Sequence, residues 1–96
     1  MDLTVDPDRL GEIAADTRAA AAAIVESLDA LAAAGQDLRS RWEGDAERAF
    51  TRRSSATDAQ WRLHAATLRL AAERTARLAE EYRQADADGA RAVLGV

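Results

Sequence analysis

From Leu10 to Leu38, apolar and small residues return at alternating intervals of three and four. Leu10, Thr17, Ile24, Leu31 and Leu38 recur every seven residues, with Ile13, Ala20, Ser27 and Ala34 between them. That cadence keeps one face of an α-helix continuous and does not suit a strand, whose faces alternate every two residues. After an interruption at residues 40–45 it resumes in Phe50, Ser54, Thr57, Trp61, His64, Leu68, Ala71, Thr75, Leu78, Tyr82 and Ala85. Each stripe has a companion: Ala14, Ala21, Val25, Leu28, Ala32 and Gly35 in the first segment, and Ala49, Ala56, Leu63 and Leu70 in the second. A helix with two contact stripes needs more than one neighbour. The chain is therefore read as all-α, and its alanine-rich, aromatic-poor composition agrees.

Local signals place the boundaries. Asp6 is a good N-cap, Pro7 is tolerated at the first helical position, and Asp8 suits the positive end of a helix. In Ser40-Arg41-Trp42-Glu43-Gly44-Asp45, Gly44 is expected to end the first helix in the left-handed conformation and Asp45 to cap the second. The expected layout is an arm at 1–6, a helix at 7–41, a turn at 42–45, a helix at 46–86, and a flexible tail at 87–96 loosened by Gly89 and Gly95. At about 1.5 Å per residue the helices extend roughly 50 and 60 Å, which suits an antiparallel hairpin. A two-helix chain of 96 residues buries only a modest core alone. The main stripes are expected to meet inside the hairpin while the outer flanks pack on a second hairpin, giving a four-helix bundle. The expected dimer interface comprises Leu28, Phe50, Trp61, Leu63, Leu68 and Leu70.

Several function classes are disfavoured. The chain has no cysteine, one histidine and no glycine-rich phosphate loop, so no catalytic constellation, metal site, cofactor or small-molecule substrate is expected. His64 lies on the main stripe and reads as a packed residue, with a pH-sensitive interface residue as the alternative. The net charge of −4 divides into −6 over residues 2–45, +3 over 46–83 and −1 beyond, so the two halves attract one another. The arginines of the second segment alone do not make a nucleic-acid binder, given the net acidity and the missing recognition motif. The N-terminus has neither a basic region nor an apolar core of the Sec type, and no apolar run suffices to span a bilayer. All 13 basic residues are arginine, which with the alanine content suggests a GC-rich genome such as an actinobacterium's.

Trp42-Glu43-Gly44 stands between the two helical segments, and forty residues later comes Tyr82-Arg83-Gln84-Ala85-Asp86. Together, on this architecture, they resemble the WXG family of ESAT-like proteins, with a Trp-x-Gly turn in a helical hairpin and a Tyr-x-x-x-Asp/Glu signal near the end of the second helix. Phe50 stands where such proteins carry a large apolar residue, and Ala46 suits their small-residue start to the second helix. Thr57 departs from the aromatic residue often found there. The resemblance implies export as a folded dimer, either a homodimer or a heterodimer with another WXG-type protein, through a type VII (ESX) system. The protein would be cytoplasmic before export and secreted or cell-surface afterwards, as an effector or an escort. It also implies a composite secretion signal of Trp42, Gly44, Tyr82 and Asp86, and a tail, Val93, Leu94 and Val96, read by the secretion ATPase. The alternative is a non-secreted helical interaction module: a chaperone, an antitoxin or the leader domain of a toxin.

Overall fold

The computed structural model describes residues 5–95 and consists of two helices, α1 (Pro7–Arg39) and α2 (Asp45–Leu94). They run antiparallel, so that Arg83 near the end of α2 reaches Asp8 at the start of α1, and Arg62 reaches Asp29. The result is a rod of 76 × 21 × 20 Å. Its radius of gyration is 21.9 Å, against about 12.5 Å for a compact domain of this length. Its accessible surface is 7440 Å², where a compact monomer of this mass exposes about 5400 Å².

The start of α1 is as its sequence implies: the Asp6 carboxylate accepts from the backbone N–H of Asp8 at 3.0 Å and of Arg9 at 3.4 Å. Its end differs. Ser40, in the right-handed helical region, forms the C-cap and turns its hydroxyl onto the carbonyl of Asp37 at 2.6 Å. Gly44 does not terminate α1 but serves as the N-cap of α2, and Asp45, expected as the cap, is already inside that helix and pairs with Arg48. No side chain caps α2. Residues 87–94, expected as part of a frayed tail, form the last two turns of α2. No proline interrupts this stretch, a single Gly89 costs a helix only about 1 kcal/mol, and Asp88 bonds with both Gln84 and Arg91.

The seam between the helices corrects the expected one. Ala14, Ala21 and Leu28 of α1 and Ala65, Ala72 and Ala79 of α2 are the buried residues, each set spaced by seven. The hairpin thus closes on the α1 companion stripe and on an alanine row in α2 that was in neither expected stripe. The large residues of the main stripes flank it and stay open to solvent. The reason lies in how each helix turns about its own axis. Asp29 follows Leu28 directly, Arg62 precedes Ala65 by three and Arg83 follows Ala79 by four, so the small residues must face inward for Arg62 and Arg83 to reach Asp29 and Asp8. One long edge of the hairpin is therefore laced by charge and the opposite edge is apolar.

Candidate functional site

Two places in the molecule carry the sequence motifs, and a third feature connects them. At the closed tip, Arg41 N–H and Trp42 N–H continue the turn onto the carbonyls of Leu38 and Arg39. Trp42, 42 % exposed, meets Phe50 edge to face with ring centroids 5.4 Å apart, within the range at which aromatic pairs attract. Gly44 then takes φ 86° and ψ −153°, a region essentially reserved for glycine. A Cβ there would meet nothing within 4 Å. Its need for glycine is thus a matter of backbone conformation and not of space.

At the open end, Tyr82 and Asp86 lie one helical turn apart on α2, both exposed. Arg83, one residue beyond Tyr82, hydrogen-bonds the Pro7 carbonyl at 3.4 Å as well as Asp8. Because α1 starts there, α2 from residue 84 onward extends past the start of α1. Val93 and Leu94 ride on that extension at 87 % and 76 % exposure, and Val96 lies outside the described residues. Along α2 the tip and Tyr82 are separated by roughly 55 Å. Within one chain, the Trp-x-Gly corner and the Tyr82–Asp86 pair sit at opposite ends.

Between them runs the apolar edge. Ile13, Leu31 and Leu38 of α1 and Trp61, Leu68 and Leu78 of α2 are exposed large residues belonging to the main stripes. Trp61 shares a cavity wall with Ile24, Ser27 and Leu31, which places the two stripes on the same side of the hairpin. His64 leans edge-on against the Trp61 ring at 5.7 Å and is exposed. Where Gly35 and Ser54 remove bulk from facing positions, a groove of about 630 Å³ opens beside Leu31, Phe50 and Trp61. Of the six expected interface residues, Phe50, Trp61 and Leu68 belong to this edge. Leu28 is buried in its own hairpin and reaches this edge only as part of the lining of its cavities. Leu63 and Leu70 do not belong to it: each stands two positions from a stripe residue, about 200° around the helix, and both are exposed on the outer side of α2. Sequence reasoning missed the alanine row 65, 72 and 79, whose only signal was seven-residue spacing among many alanines.

The opposite edge is polar. Hydrogen bonds to Asp58 and to Asp29 push the Arg62 guanidinium above its ordinary pKa. A raised folded-state pKa contributes stability below the ordinary arginine value and loses it only above, so Arg62 stays protonated at every physiological pH. Among the described residues no cluster of three or more His, Cys, Asp or Glu side chains stands ready for a metal, and no helix is long and apolar enough to cross a membrane.

The arrangement defines a class: long helical hairpins with a tryptophan-glycine corner at one end and an aromatic–acidic pair at the other. The family model for proteins of 100 residues with WXG matches residues 2–87, and the chain belongs to that WXG100 family. The family is non-enzymatic and known for type VII secretion substrates. No curated protein and no solved structure matches the chain.

Proposed function

We propose that this chain is exported by a type VII (ESX) secretion system as a folded dimer, either with itself or with another WXG-type protein, and acts outside as an effector or as escort for its partner. The observation that carries this reading is the open apolar edge. It runs nearly the length of the hairpin, and a second hairpin laid against it converts an over-exposed rod into a four-helix bundle. Antiparallel packing of two such rods brings the Trp42–Gly44 corner of one beside Tyr82 and Asp86 of the other, which a single chain keeps far apart. A recognition surface assembled this way exists only in the folded dimer, so export and assembly are coupled. The far end of α2, with Val93 and Leu94 exposed and Val96 beyond, is the segment offered to the secretion ATPase, and the chain waits in the cytoplasm until it is read.

The test is export of Tyr82→Ala from a host carrying the cognate secretion system. Tyr82 is 36 % exposed and is not among the buried residues of the seam, so the variant is expected to remain helical and dimeric by circular dichroism and sedimentation while disappearing from the culture filtrate. Unchanged export with an intact dimer would overturn the signal reading and favour the non-secreted helical module.

A further inference from the structure

The outer sides of the two helices, facing away from the seam, carry a pattern that the seam does not use, although Ala23 and Arg53 reach the cavities of the apolar edge and Glu12 and Asp37 pair locally with Arg9 and Arg41. On α1 it runs Glu12, Asp16, Ala19, Ala23, Glu26, Ala30, Ala33, Asp37; on α2 it runs Arg53, Ala56, Leu63, Leu70, Arg74, Arg77, with Arg52 beside Arg53. All are exposed. Leu63, at 66 % exposure, is far more open than a structural leucine. Among the described residues, Arg52, Arg53, Arg74 and Arg77 have no carboxylate oxygen within 4 Å, although most other arginines do.

We infer that the basic outer side of α2 binds the acidic outer side of α1 in a neighbouring copy, so that hairpins associate side by side. The spacing supports that occupant. Asp16 to Asp37 and Arg53 to Arg74 are both intervals of 21 residues, about 31 Å of helix. Laid antiparallel, Asp37 faces Arg53, Asp16 faces Arg74 and Glu12 faces Arg77 at once, while Leu70 rests on Ala19 and Ala23 and Leu63 on Ala30 and the aliphatic stem of Glu26. This is almost the register that already holds within the hairpin, where Asp8 faces Arg83 and Asp29 faces Arg62. The neighbour is therefore related by a nearly pure sideways step. Such a contact is heterologous and leaves one acidic and one basic side free at the ends, so it propagates. A contact one helix wide falls short of the roughly 1,200–2,000 Å² of a stable complex. The association therefore needs crowding and weakens with salt. It goes beyond the dimer proposed above and shares with the apolar edge only Ala23 and Arg53, at the rims of its cavities.

The cysteine-free chain allows a direct test. Full-length Ala23→Cys and Thr67→Cys chains, which face each other in this register, are mixed at high protein concentration under mild oxidation, beside an Ala23→Cys and Gln60→Cys mixture that reports the parallel register. Disulfide-linked mixed dimers are expected for the first pair, about tenfold fewer for the second, and ladders of three and more chains for the Ala23→Cys/Thr67→Cys double variant. Arg53→Glu/Arg74→Glu is expected to lower the yield about tenfold, as for two exposed pairs reversed, and Asp16→Arg/Asp37→Arg in the other chain to restore it. Repeating the experiment with Leu68→Asp in every chain separates this contact from the dimer: the cross-link persists even where dimerisation fails. Equal yields for the two pairs, or no recovery on swapping charges, would overturn the proposal. So would co-sedimentation with phosphatidylglycerol vesicles, lost in Leu63→Ser/Leu70→Ser, if no cross-link forms, since the surface would then belong to an anionic lipid.

Discussion

Gly44 and Gly89 show how one residue type has opposite value at two positions. Gly44 holds φ 86° at the entrance to α2, whereas Gly89 sits mid-helix with open space around a would-be Cβ. Gly44→Ala is expected to destabilise the hairpin by about 1–3 kcal/mol through backbone strain alone. Gly89→Ala should strengthen the projecting end of α2 by about 0.5–1 kcal/mol. Chemical denaturation followed at 222 nm separates the two, and a neutral Gly44→Ala would show that the corner tolerates another conformation. The tryptophan and glycine were legible in sequence because their types are unusual at a helix boundary. The role of Gly44 was not, since a glycine that ends one helix and one that begins the next look alike until the dihedral angles are seen.

α2 presents an inward row of alanines and α1 an inward row of Ala14, Ala21 and Leu28, each flanked by a row of large residues. The small row determines how closely the helices approach, so it should be intolerant of bulk even though alanine contributes little buried area itself. Ala72, at 1 % exposure, tests this: Ala72→Leu is expected to cost about 1–3 kcal/mol by overpacking. Leu63→Ala, on the outer side of α2, should stay within about 0.5 kcal/mol. Urea titrations of the two variants give the comparison, and a cheap Ala72→Leu would mean the seam can widen. Helix existence and the start of α1 followed directly from the seven-residue cadence and from Asp6-Pro7. The continuation of α2 to Leu94 went unrecognised because two glycines in the last eight residues were weighed as breakers, while the helix-forming alanines and Arg91 between them prevail.

The whole hairpin is a two-edged rod, charged along one side and apolar along the other, and its assembly should depend on the second. Leu68→Asp places a carboxylate in the middle of the apolar edge and is expected to shift sedimentation from dimer to monomer. Leu63→Asp, with the same chemistry on the outer side, should leave the dimer intact at concentrations too low for side-by-side association. Equal effects of the two would mean that the apolar edge is not the interface. From sequence alone came two long helices, a Trp-x-Gly corner and more apolar surface than one hairpin can cover, because caps, periodicity and turns are decided by residues a few positions apart. Which stripe faces inward, the pairing of Asp8 with Arg83 across 75 positions, and the separation of Trp42 from Tyr82 were decided only by the fold. The rotation of one helix against another is set by contacts between residues far apart in the chain, and local spacing does not contain it.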